Sequence, residues 1–254
     1  MSRPQHSFHA DRYGSSLFAS LWIEALGEQY PVEVAPFSSC TLELLEELER
    51  QINAKPGMAL VDLGCGIGGV GLWFARKHLI QLIGIDRCPD AISIANERSV
   101  EWGLSKRAKF ETGDFCNTGV KSDSADVVIS IDAFTATEDI ESALREVRRI
   151  LKPEGVFVFT ARELSVKGRH FQSIGPDWRK GLEKNGFSDV CIINRPNVSN
   201  LWKNVYSQWL KYESDLRKEL LPETVDALIA EAHTGIPSMN ENRPWYLIRA
   251  AISA

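Results

Sequence analysis

Five cysteines are scattered along the 254 residues, at positions 40, 65, 88, 116 and 191, and none belongs to a C-x-x-C pair. That spacing suggests neither a zinc site nor a disulfide framework, so reduced thiols in a cytoplasmic protein are expected. No apolar run approaches the length needed to span a bilayer. The first residues, MSRPQHSFHADRYG, are polar and include an acid, unlike a secretory leader. A basic stripe is also missing. Lys and Arg number 29 against 34 Asp and Glu, a formal charge of −5, and nucleic acid is not an expected partner. No repeat or low-complexity tract interrupts the chain. Apolar residues make up 44% of it, enough at this length to bury a full core without staples.

From residue 58 onward the sequence alternates two periods. Apolar stretches of strand type fall at 58–64, 80–86, 108–115, 125–132, 156–163, 188–196 and 245–252, with helical patterns between them. Such alternation calls for an α/β fold: a seven-stranded, mainly parallel sheet with helices on both faces. Before it, residues 1 to about 14 read as loose. Ser15 to Leu26 reads as an amphipathic helix closed by Gly27, and a second helix begins after Thr41 as N-cap. Between strands six and seven, residues 197–242 are helical in pattern and too long for a loop. The expected organisation is an N-terminal helical cap segment (1–57), a sheet core (58–196 and 243–254) and a helical insertion (197–242) completing the cap.

LVDLGCGIGGVGLWFA, residues 60–75, carries the chemistry. Gly64, Gly66 and Gly69 have the spacing of a dinucleotide-binding turn between a strand and a helix. Asp62, two residues before the first glycine, would repel a pyrophosphate but would suit a cationic ligand. Asp86 ends the second strand, where an acid accepts hydrogen bonds from a ribose diol. Asp114 follows the third strand in GDF, where it could accept from an adenine amino group with Phe115 near the ring. Singly, each acid also reads as a cap or turn former, and the glycines as tight helix–sheet packing. Together they lie on one edge of one sheet.

VDLGCGIGGVGLWFA, LIGIDRCPDAI, FETGDFCNTG, DVVISIDAF and ALREVRRILKPEGVFVFT occur in the order and spacing of the class I S-adenosylmethionine-dependent methyltransferases. The resemblance covers roughly residues 58–196 and implies a Rossmann-like core with S-adenosyl-L-methionine as cofactor. It places Gly64, Cys65 and Gly66 along the methionyl portion and Asp62 at its ammonium end. Asp86 would hold the ribose hydroxyls and Arg87 flank the adenine, while Asp114 and Phe115 bind the adenine edge. Ile131 would lie near the cofactor at the end of strand four. LGEQYPVEVAPFSS also resembles the upstream loop of small-molecule methyltransferases, which puts Ser38, with Phe37, near the cofactor's carboxylate; Ser38 reads equally as a cap for the next helix.

SIDAFTATED, residues 130–139, resembles the S-x-D-A-F-x-H stretch of methyltransferases acting on amines, sugars and natural products, with Ala136 in the histidine position. Asp132 remains and could orient an acceptor, or simply form a strand-end turn. Further catalytic candidates are Tyr13 and His170, followed by His9 and Tyr30. Trp202, Tyr206 and Trp209 share one helical face, which means core packing or an acceptor pocket. No N-P-P-[YF] tetrapeptide follows strand four. A lone Asp132 does not supply the divalent-metal site of catechol-type methyltransferases, although Glu138 and Asp139 nearby leave one open; no metal is expected. The expected function is methyl transfer to O, N or C of a small, partly apolar metabolite in specialised biosynthesis. The alternatives are a protein or RNA methyltransferase, a non-catalytic cofactor-binding subunit, and a nicotinamide-dependent dehydrogenase.

Overall fold

The computed structural model describes residues 6–163, 174–175, 177–241 and 243–252; side chains 6, 7 and 9 are outside that description. Seven strands form one sheet: β1 (Ala59–Leu63), β2 (Gln81–Asp86), β3 (Ala108–Thr112), β4 (Ala125–Ser130), β5 (Leu151–Arg162), β6 (Ser188–Asn194) and β7 (Trp245–Ala251). Their order is β3-β2-β1-β4-β5-β7-β6. The pairs from β3 through β5 are parallel, and β7 runs antiparallel to both β5 and β6. After β1 the chain moves outward on one side to β2 and β3, then returns to place β4 on the other. The carboxyl ends of β1 and β4 therefore flank the point where winding reverses, the place where such sheets open a ligand crevice.

Central strands alternate their side chains between two cores. Leu60, Val127, Ile129 and Val158 face one way, towards Leu44, Leu48, Leu72 and Phe74. Val61, Leu63, Val128, Phe157 and Phe159 face the other, towards Leu144, Val147 and Trp178. The first layer is made by α3 (Leu42–Ile52), α4 (Gly69–His78) and α5 (Pro89–Glu101), and the second by α6 (Ile140–Ile150) and α7 (Trp178–Lys184). Burial on both faces is why these strands read as continuous apolar runs.

Above the sheet's carboxyl edge sits a separate cluster. It joins α2 (Ser16–Leu26) to the insertion, which folds as α8 (Val198–Lys211), α9 (Glu213–Glu219) and α10 (Pro222–Met239). The expected caps are in place: the Ser15 hydroxyl accepts from Phe18 N, Gly27 closes α2 at φ +56°, and the Thr41 hydroxyl accepts from Leu44 N. One expectation needs correction. Residues His6–Gly14 are not loose but form α1. This segment has little apolar periodicity, and a nine-residue helix is marginal alone. Phe8 anchors it by packing against the cap cluster. Among the described residues no helix is long and apolar enough to cross a membrane.

Candidate cofactor and acceptor site

β1 hands the chain to a turn that binds back onto β2: the amides of Gly64 and Cys65 both donate to the carbonyl of Ile85, at 2.8 and 3.1 Å. Gly64 has φ +73°, and a Cβ there would collide with that of Ala133. Only glycine fits. Asp62, the penultimate residue of β1, is 3% exposed and accepts from the Gly71 amide in the first turn of α4. Burial pushes its carboxyl up to about 7, with the Gly71 hydrogen bond opposing and the charge of Asp86 reinforcing the rise. A cationic ligand group would reverse that penalty by stabilising the ionised form.

Asp86 ends β2 and accepts two backbone hydrogen bonds at 2.9 Å, from Gly66 N on Oδ2 and from Cys88 N on Oδ1. Each oxygen keeps a second lone pair, enough for a vicinal diol. β3 stops at Thr112, short of its expected end, which leaves Asp114 in a tight turn where Oδ1 accepts from Cys116 N at 2.8 Å. Phe115 follows, edge-on to Phe134 with centroids 6.0 Å apart.

These groups border two adjoining cavities. One, of about 250 Å³, contains Phe37, Ser38, Asp62, Cys65, Gly66 and Ile131 in its wall. The other, of about 710 Å³, is bordered by Arg87, Asp114 and Phe115. Gly64, Asp86, Asp132 and Ala133 border both, so the pair forms one elongated crevice along the carboxyl edge of the sheet. Every residue assigned to the cofactor by resemblance lies on its wall. Asp62 is at one end, Asp86 in the middle and Asp114 at the other. A third cavity, of about 340 Å³, lies between α2, α3 and the start of α8 and includes none of these acids.

Asp132 lies just beyond β4 at φ +55°, a strained conformation for a non-glycine residue. Its Oδ2 accepts from Ser39 N at 2.6 Å, and Oδ1 accepts from Ser39 Oγ at 3.0 Å and Thr160 Oγ1 at 2.7 Å. Thr160 Oγ1 in turn accepts from Asp132 N at 2.7 Å. Arg195, just past β6, donates to Ser39 Oγ at 2.9 Å and to Ser39 O at 2.6 Å. Burial lowers the Arg195 pKa, and Asp132 opposes that shift. The carboxylate thus borders the crevice and also latches the 37–40 loop onto β5. Ser39, Thr160 and Arg195 were not singled out from the sequence. Thr160 follows Phe159, the register partner of Ser130, a pairing that the sequence alone does not give.

Residues 61–159 match the family described as a methyltransferase domain. Phosphoethanolamine N-methyltransferase 1 of Arabidopsis thaliana is 36% identical over 195 residues, which are 70% of this chain and 39% of that protein. Residues 61–159 form a class I S-adenosylmethionine-dependent methyltransferase domain. Its fold is shared with a Haemonchus contortus phosphoethanolamine N-methyltransferase solved with phosphomonomethylethanolamine and S-adenosylhomocysteine. That likeness has a TM-score of 0.70 at 19% identity, over 96% of this chain and 59% of the other. The [4+2]-cyclase SpnF matches with a TM-score of 0.74 at 17% identity, over 98% and 97% of the two chains. At these identities the two structures speak for the fold. The chain spans about two-fifths of the length of the plant relative.

The remaining candidates sort by position around the methyltransferase domain. Tyr13 is 41% exposed, 6.0 Å from the Arg98 guanidinium, and borders neither half of the crevice. Its neighbour Arg12 does. One residue on a helix is a rotation of about 100°, and α1 presents the other side chain. His170 and the side chain of His9 lie outside the described residues. Tyr30 is buried in the cap cluster. Trp202, Tyr206 and Trp209 pack ring against ring, with successive centroids 5.4 Å apart, and Trp202 and Trp209 both contact Trp22. That is core packing between α2 and α8. Ser38 does not cap α3, because Thr41 does; its hydroxyl accepts from Cys40 N. Ala136 borders the larger half of the crevice, in the place where resemblance would put a histidine.

Proposed function

We propose that the chain transfers a methyl group from S-adenosylmethionine to an O, N or C atom of a small, partly apolar molecule in specialised biosynthesis. The alignment of Asp62, Asp86 and Asp114 along one crevice carries this reading, because it matches an amino-acid end, a ribose and an adenine in sequence. When bound, S-adenosylmethionine supplies an electrophilic methyl group on a cationic sulfur. Asp62 holds the ammonium, the free lone pairs of Asp86 take the ribose diol, and Asp114 and Phe115 bracket the base. Asp132 faces the same space from the end of β4, fixed by Ser39 and Thr160, and orients the acceptor. The aromatic cap excludes water above it. Positioning and desolvation carry much of the work in a displacement of this kind. With alanine at position 136, proton removal falls to another group or to solvent.

Calorimetric titration with S-adenosylmethionine, S-adenosylhomocysteine and NAD tests the reading, followed by assay of S-adenosylhomocysteine release with panels of small amines, phenols and carbon acids. The expected result is binding of both adenosyl ligands, no binding of NAD, and release with a small acceptor. Binding of NAD alone would overturn the reading. Release only with peptides or RNA would move the acceptor to a macromolecule, and cofactor binding without release would leave a binding subunit.

A further inference from the structure

The hydrogen bonds around Asp132 have fixed directions. Thr160 Oγ1 accepts from Asp132 N, an amide that can only donate, so its own proton goes to Asp132 Oδ1. Ser39 Oγ is met on its other side by the Arg195 guanidinium, which donates and never accepts. The Ser39 proton is therefore left for Oδ1 as well. Two donors thus fill Oδ1, and Ser39 N occupies one side of Oδ2. A carboxylate offers about four lone-pair sites, so the remaining one is on Oδ2.

We infer that Arg195 is a positioning residue for methyl transfer: by donating to Ser39 it turns the Ser39 hydroxyl onto Asp132 and leaves Asp132 a single open lone pair for an N–H or O–H of the acceptor. The inference rests on the proposed acceptor role of Asp132. It brings in two residues, Ser39 and Arg195, from outside the methyltransferase domain of residues 61–159. Arg195 is itself held, because its backbone N–H donates to Trp245 O at 2.7 Å, at the start of β7. Its guanidinium grips both Oγ and O of Ser39, a forked contact that a single point charge would not reproduce. Ser39 is fully buried, so water does not replace a missing donor there. Burial disfavours the Arg195 charge, and Asp132 is the foremost attraction opposing that, so the two charges support each other across Ser39. Asp132 also holds φ +55°, a backbone geometry that its surroundings must enforce, and this network is what encloses it.

The test compares wild type with Arg195→Gln, Arg195→Lys, Asp132→Asn and the Arg195→Gln, Asp132→Asn double variant. It reads S-adenosylmethionine affinity by calorimetry, S-adenosylhomocysteine release with the fastest member of the amine and phenol panels, and hydrogen exchange at the Ser39 amide. Arg195→Gln should lower kcat about tenfold and speed Ser39 exchange about tenfold, with cofactor affinity within about twofold of wild type. Arg195→Lys should recover part of kcat, since an ammonium can still donate to Ser39 Oγ. In the Asp132→Asn background Arg195→Gln should cost less than about twofold further in kcat, because the group it positions is gone. An equal loss in both backgrounds overturns the inference, since Arg195 would then act apart from Asp132. Wild-type kcat or unchanged Ser39 exchange in Arg195→Gln also overturns it, as does a loss of cofactor affinity as large as that of kcat, which marks general packing. Should Arg195→Gln not fold, Ser39→Ala decides in its place: it removes only the relaying hydroxyl, and wild-type kcat there overturns the inference. Wild-type turnover in Asp132→Asn, or no release by wild type with any panel member, removes instead the acceptor reading of Asp132, and this inference with it.

Discussion

Along the crevice Asp62, Asp86 and Asp114 each accept a backbone N–H, whereas in the cap the indole nitrogens of Trp22, Trp202 and Trp209 are buried with no hydrogen-bond partner among the described residues. The first region is polar, and its acids are fixed by main chain that the sheet itself positions. The second is held by ring packing and carries donors whose isolation costs about 1–3 kcal/mol each. A site for an invariant ligand needs acids at set distances, and parallel strand ends provide them. The three indole rings of the cap border neither half of the crevice and pack as core between α2 and α8. The crevice and the cap's fold are therefore held by different structural layers.

Mutation can break that division. Trp209→Ala, at a fully buried ring, should cost about 3–5 kcal/mol of stability in urea unfolding. At a temperature where the variant is still folded, its affinity for S-adenosylmethionine should stay within about twofold of wild type. A comparable loss of cofactor affinity would show the layers to be one. Asp86→Ala should do the reverse, weakening S-adenosylmethionine by about 1–3 kcal/mol in calorimetry. Unchanged affinity would remove Asp86 from the ribose role.

Two finer tests sharpen the comparison. The carboxyl of Asp62 is raised to about 7 in the folded, ligand-free chain. A group whose folded pKa is raised takes up protons on folding, so its contribution to stability is fullest below the unfolded carboxylate range. That contribution falls as pH climbs to about 7 and is flat above it. Cationic cofactor prefers the ionised form, so its affinity should move the other way, rising by up to about tenfold from pH 6 to 8 and levelling above that. Asp62→Asn should abolish the rise; a rise that survives it belongs to another group. Asp132→Asn, like Trp209→Ala, should change cofactor affinity by less than about twofold, with turnover falling about tenfold. Equal turnover would leave Asp132 as a latch for the 37–40 loop and nothing more.

The sheet and the crevice wall were legible because both are local. A strand followed by glycines, or ending in an acid, positions its residues on the carboxyl edge whatever the rest of the chain does. What was not legible depends on rotation or on distant contact. α1 carries too little apolar pattern to fix which side chain turns inward, and the choice between Tyr13 and Arg12 is made by packing on Phe8, Phe18 and Phe37. The Ser39–Asp132 pair joins positions 93 residues apart and Ser39–Arg195 positions 156 apart. No local spacing encodes such pairs. The cap helices were legible as helices, while the pairing of their aromatic faces was not.

The amide of Gly66 rests on Asp86, the carboxylate proposed to take the ribose. On that proposal, whatever occupies the nucleoside half is felt by the bend proposed to embrace the methionyl half. Fragments of the donor, added as separate pieces, should bind interdependently, and a competitor that pulls Asp86 aside would slacken both grips at once.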